Sequence, residues 1–217
     1  MTDKIAEAVA ELLLKSKAVV LQPKEPFRFT TGILSPIYCD NRLLLSQVRD
    51  RESIVNYFVE KIIERKLNAE VIAGIATASI TWASLIAEKL KKPMIYVRKE
   101  AKQHGMKNLI EGNLEKGAEV LVVEDLISTG STSLGAVAAV REAGAAANKC
   151  LAIFTYEMKV ATEGFKQLNC ELITLSNFST LVRIAAEKGY IKKEELDVLI
   201  DWSHDPVGWG RKMGFEQ

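Results

Sequence analysis

A chain of 217 residues can bury one sizeable core, and 48% hydrophobic with 26% charged residues is the balance of an ordinary globular protein. With 29 basic against 28 acidic residues the net charge is +1, which leaves no global field to favour nucleic acid or an anionic membrane surface. No apolar run approaches the roughly 20 residues of a membrane span, the amino terminus lacks a signal-peptide core, and three scattered cysteines suggest neither a disulfide framework nor a zinc site, so a cytoplasmic protein is expected.

Residues 2–16 read as an amphipathic helix, with Ile5, Val9, Leu12 and Leu13 on one face and Thr2 as the candidate N-cap. Short extended pieces follow at 18–21, 27–29 and 36–39, then a second helix over about 46–66. From there strands (71–75, 94–97, 119–123, 150–155, 171–175) alternate with helices (about 80–90 and 134–143), and two helices (about 178–188 and 193–200) close the chain. That rhythm argues for an α/β fold with a mainly parallel sheet covered on both faces. No Pro-, Gly- or Ser-rich linker divides the chain, so 1–217 is expected to be one domain, with about 1–45 as a small amino-terminal cap over the sheet's active edge.

The most informative run is Val120 to Thr132. Val120–Val123 reads as a buried strand, expected to stop just before Glu124 and Asp125. Leu126 and Ile127 lead to Ser128, Thr129, Gly130, Ser131 and Thr132, small and hydroxyl-bearing, just ahead of a helix. Free N–H groups at such a helix start attract phosphate. Two carboxylates beside them would repel phosphate, so they need another task, such as gripping sugar hydroxyls or a hydrated Mg²⁺. No Gly-Lys-Ser/Thr lies in this loop and no Gly-x-Gly-x-x-Gly occurs anywhere in the chain, which leaves P-loop and dinucleotide sites without support.

The segment resembles the signature of the type I phosphoribosyltransferases, which bind 5-phosphoribosyl 1-diphosphate (PRPP). The resemblance implies that Glu124 and Asp125 face the ribose hydroxyls and that Ser128 to Thr132 wrap the 5′-phosphate, with Leu126 and Ile127 also in the PRPP-binding run. It also implies that family's fold, with a small amino-terminal hood.

Between the strands at 94–97 and 119–123, the decapeptide Arg98 to Lys107 carries a net charge of +3, with Gly105 and Gly112 as candidate hinges. Read alone, it is a solvated surface loop; starting at the same sheet edge as the acids, it suits a lid that meets a departing anion and excludes water. Arg98-Lys99-x-x-Lys102-x-His104-Gly105 resembles the catalytic loop of orotate phosphoribosyltransferases. There the basic residues reach the PRPP diphosphate, partly across a subunit boundary. By that likeness Arg98, Lys99, Lys102 and His104, with Asp125, are the catalytic candidates, and a homodimer sharing its loop is implied.

Gly74 to Ile80 also opens a helix after a strand and resembles the family's pyrophosphate loop through Ala76 and Thr77, with Ser79 as a second hydroxyl donor. The family usually has Gly where Ser79 stands and Pro where Thr81 stands. Thr31 to Arg42 resembles the segment that lines the orotate pocket: Tyr38 would stack on the pyrimidine and Arg42 would pair with its carboxylate. A cap hairpin with Tyr38 in its core is the competing reading. Many members also carry an Asp-Arg pair after the following strand, whose Arg binds orotate; here Thr155-Tyr-Glu-Met158 stands instead, so backbone N–H groups near Ser128 are the substitute candidate.

The resemblance therefore implies conversion of orotate and PRPP, with Mg²⁺ carried mainly by PRPP, to orotidine 5′-monophosphate and pyrophosphate in pyrimidine synthesis. No dedicated metal residues, nucleic acid or membrane partner are expected. A phosphoribosyltransferase for another base, or a non-catalytic PRPP-binding regulator on the same fold, are the alternatives.

Overall fold

The computed structural model describes residues 3–29, 32–99 and 109–215. Helix α1 (Lys4–Lys15) buries Ile5, Val9 and Leu13 along one stripe, and its N-cap is Asp3, whose carboxylate accepts from the amides of Ile5 and Ala6. The cap therefore falls one residue after Thr2, because a carboxylate reaching two free amides ends the helix there. Strands β1 (Val19–Leu21), β2 (Phe27–Arg28), β3 (Leu34–Ser35) and β4 (Ile37–Cys39) form two small antiparallel pairs, β1 with β4 and β2 with β3. A 3₁₀ turn over Asn41–Ser46 then leads into α2 (Val48–Glu64).

The body follows as β5 (Val71–Ile75), α3 (Ala78–Leu90), β6 (Met94–Val97), β7 (Ile110–Glu111), β8 (Glu119–Ile127), α4 (Ser131–Glu142), β9 (Ala146–Thr155), α5 (Lys159–Gln167), β10 (Glu171–Asn177), α6 (Phe178–Glu187), α7 (Lys193–His204) and α8 (Trp209–Lys212). The sheet runs β10-β9-β8-β5-β6-β7. All neighbours are parallel except β7, which returns antiparallel beside β6. β5, which has β8 and β6 on its two sides, is buried at every position, as a strand covered on both faces should be.

Alternate residues of β8 feed two cores. Leu121 and Val123 join the cluster under α1, α2, α3, α6 and α7; Val120 and Val122 join the one under α4 and α5. α1 packs on β10 and α6 inside the first of these, so it is part of the body and not of a separate cap. Its apolar stripe has to be covered, and the edge of the sheet covers it. The β2–β3 pair instead meets the carboxyl-terminal helices, through a bond from Trp202 Nε1 to the Leu34 carbonyl at 3.1 Å.

Two further departures matter for the site. β8 runs through the acids to Ile127 instead of stopping before them. The helix after it starts at Ser131, three residues earlier than the apolar pattern suggests.

Gly74 sits where β5 meets the start of α3. A Cβ there would lie 2.8 Å from the Ser79 carbonyl oxygen and 2.9 Å from the Ala83 Cβ. Gly74→Ala should therefore force β5 and α3 apart and cost about 1–3 kcal/mol in a denaturant-unfolding measurement.

Candidate active site

A cavity of about 310 Å³ opens beyond the carboxyl ends of β5, β6 and β8. Ile75–Ala78, Lys99, Glu124–Leu126, Ser128–Ser133 and Cys39–Arg42 line it. Open parallel sheets receive ligands at this edge, where helix starts and loop amides converge.

Two helices begin on its wall. α4 follows Gly130, which adopts φ 78°, and no side chain caps it. Glycine adopts the left-handed conformation without the steric penalty that a Cβ residue incurs. α3 follows Thr77 and likewise has no side-chain cap. Each start presents backbone N–H groups and the positive end of a helix dipole to the cavity, which suits an anion with more than one phosphate.

The acids stand at the protruding end of β8. Glu124 is only 6% exposed, and its carboxyl accepts three hydrogen bonds from within the chain while still lining the cavity. The Ser79 hydroxyl donates to Oε1, the Asp125 amide donates to the same oxygen at 3.1 Å, and the Ser133 hydroxyl donates to Oε2 at 3.2 Å. Burial, reinforced by the charge of Asp125, pushes the Glu124 carboxyl from an ordinary 4.5 up to about 8. Burial also raises Asp125, although hydrogen bonds to its carboxylate and the Arg42 charge oppose this. The two carboxyls thus share a low-dielectric corner in which both do not readily ionise.

Arg42 reaches the cavity with its guanidinium already paired: Nε and Nη2 donate to the two Asp40 oxygens at 2.6 and 2.7 Å. This pairing holds the Asp40 carboxyl below its usual range. Asn41 is 1% exposed, and its Nδ2 donates to the Asp125 carbonyl at 2.6 Å. Cys39 is buried, and burial raises its thiol well above the ordinary value.

The structure thus gathers Ala76, Thr77, Lys99, Glu124, Asp125, Leu126, Ser128, Thr129, Gly130, Ser131, Thr132 and Arg42 around one cavity. Ile127 is fully buried in the sheet and supports the loop from behind. Tyr38 is 41% exposed, packs on Phe27 at 5.4 Å between ring centroids, and does not line the cavity; nor does it sit in a hairpin core. β4 alternates, with Ile37 and Cys39 inward, so Tyr38 must face out. Arg98 pairs with Glu111 of β7 at 3.4 Å, beside the cavity's Lys99. Lys102 and His104 lie outside the described residues.

Ser79 departs from its expected use as a diphosphate donor, since its hydroxyl turns inward to Glu124. Asn41 and Ser133 carried no signal in the sequence beyond a polar residue next to a candidate. Past β9, Tyr156 is buried in an aromatic cluster, edge-on to Phe154 at 5.7 Å and to Trp202 at 5.6 Å. Glu157 caps α6 by accepting from the Ser179 amide at 2.8 Å and its hydroxyl at 2.5 Å.

Three comparisons bear on this geometry. A family model described as phosphoribosyl transferase domain matches residues 45–179. The orotate phosphoribosyltransferase of Coxiella burnetii is 46% identical over 204 residues, 94% of this chain and 98% of its own, and that of Listeria innocua is 46% identical over 207 residues, 95% and 99%. Among solved structures, orotate phosphoribosyltransferase from Aeropyrum pernix superposes with a TM-score of 0.73 at 27% identity, over 85% of this chain and 99% of that one.

Because the Glu124 carboxyl keeps its proton to about 8 when folded but loses it near 4.5 when unfolded, the folded chain holds the extra proton between those values. Its share of stability is complete below 4.5 and disappears as pH rises through 8. Glu124→Gln should flatten that part of the curve, measured as the denaturant midpoint at about pH 5 and about pH 8.

Proposed function

The chain belongs to the orotate phosphoribosyltransferase family, and from that premise we propose that it transfers the 5-phosphoribosyl group of PRPP to orotate, giving orotidine 5′-monophosphate and pyrophosphate. The observation that carries this reading is the cavity that joins two uncapped helix starts, the acid pair and Lys99. One anion cradle stands on each side of a polar seat of sugar size, which matches a ribose bearing a phosphate at one end and a diphosphate at the other.

Ser128 to Thr132 and the start of α4 hold the 5′-phosphate. Asp125 and Glu124 orient the ribose hydroxyls, and Ala76 and Thr77 bring backbone N–H groups to the diphosphate. Departure of pyrophosphate builds positive charge on the ribose ring and negative charge on the leaving oxygen. Lys99 with Arg98, Lys102 and His104 meets the latter. A ring nitrogen of orotate gives up its proton to solvent and forms the new bond to ribose C1 as the C1–oxygen bond breaks and pyrophosphate leaves, so no protein nucleophile is required. Mg²⁺ carried by the diphosphate of PRPP would supply charge neutralisation on the leaving group. Among the described residues no group of three or more His, Cys, Asp or Glu side chains is gathered to hold an ion unaided.

Orotate recognition falls to the Tyr38–Arg42 segment and the Ser128 backbone. Asp40 and Arg42 border the cavity, whereas Tyr38 faces away from it, so Arg42 and the Ser128 backbone carry the recognition. The whole chain works as one such domain, in the cytoplasm, as a homodimer with the 98–107 loop shared between subunits.

Loss of orotate absorbance with PRPP and Mg²⁺ tests the reaction directly, with adenine, guanine and uracil as competing bases. Turnover should be confined to orotate and should stop on chelation of the metal. Lys102→Ala should lower kcat about 100-fold while leaving PRPP affinity within about threefold, because a lid cation acts on charge that develops only in the transition state. Equal turnover in the variant would contradict the role given to the loop.

A further inference from the structure

The end of β8 presents an unusual accounting problem. β5 pairs with β8 from Val71↔Val120 to Gly74↔Val123 and stops at Ile75, whereas β8 continues to Ile127 beside β9. Past Val123, no strand among the described residues pairs with that side of β8. The peptide groups there are largely buried and still need partners. At Asp125 side chains supply them. The amide donates to Ser79 Oγ and to Glu124 Oε1, both at 3.1 Å, and the carbonyl accepts from Asn41 Nδ2 at 2.6 Å. Asn41 is itself immobilised: it is 1% exposed and its Oδ1 accepts from Cys39 Sγ at 3.4 Å. Ser79 is 0% exposed at the start of α3.

We propose that Asn41 and Ser79 are positioning residues that replace the missing β5 ladder and fix the Asp125 peptide, and with it the direction of the Asp125 carboxylate toward the ribose. The inference rests on the PRPP reading above and names residues that do not touch the sugar: Asn41 acts through Asp125, and Ser79 through Asp125 and its bond to Glu124. The two anchors come from different places, one from the segment that leads to Arg42 and the other from the start of the helix beyond Thr77. Asp125 is therefore held between the base side and the diphosphate side of the cavity. Losing either anchor leaves a buried peptide group unsatisfied and frees the strand end to rotate.

Titration calorimetry of PRPP with Mg²⁺ tests this independently of the base. Asn41→Ala and Ser79→Ala should each weaken PRPP binding about tenfold, measured well below thermal midpoints that both substitutions lower, since each leaves a buried polar group unpaired. Asn41→Ala in an Asp125→Ala background should weaken PRPP binding less than about twofold, since a residue that works through the Asp125 carboxylate then has nothing left to orient, whereas Ser79→Ala should keep part of its effect through Glu124. Affinity within about twofold of the parent for both single variants would overturn the proposal, as would an undiminished tenfold loss for Asn41→Ala in the Asp125→Ala background. Failure of the unsubstituted chain to bind PRPP would overturn the functional reading itself, and this inference with it.

Discussion

The site depends on burying a carboxyl group at the end of a central strand. Glu124 would be expensive in that position if it were unpartnered, and its satisfaction by the Ser79 and Ser133 hydroxyls and the Asp125 amide makes the position tenable. The same bonds draw α3 and α4 against the end of β8. Their two starts consequently open onto one cavity, and the anion cradles owe their relative placement to an acid that itself lies almost wholly inside.

Around that acid the charges fall in layers. Glu124 and Asp125 sit deepest; Asp40 and Arg42 neutralise each other at the rim; Lys99 stands on the side where the basic loop begins. A polyanionic sugar entering this cavity meets positive ends of helices and a lysine first and carboxyls last. In the proposed reading the acids accept hydroxyl hydrogens at the centre while phosphate charge stays at the periphery.

Much of the body was legible because continuous apolar runs such as Val71–Ile75 and Met94–Val97 form strands with those very bounds. The cavity's loop residues were legible for a different reason, since Ser128 to Thr132 combine small size, hydroxyls and a glycine in one local run. The sequence concealed what depends on distant segments. β8 looked as if it ended before its acids because two charged residues rarely continue a buried strand, and only serines from two helices make that possible. Asn41 and Asp125 are 84 positions apart, and a single side-chain bond to a carbonyl imposes no periodicity on either stretch. α5 was missed because Ala161 and Phe165 alone form its buried stripe, too little to register as a pattern.

The segment after β9 has a consequence for how this molecule could change over evolutionary time. Tyr156 belongs to the aromatic cluster with Phe154 and Trp202, and Glu157 secures the first turn of α6. An arginine grafted here to grasp a different base would evict a helix cap or a core ring. Acquiring a new preference by that route would take several simultaneous replacements, so the neighbourhood is entrenched by its architectural duties as much as by its chemistry.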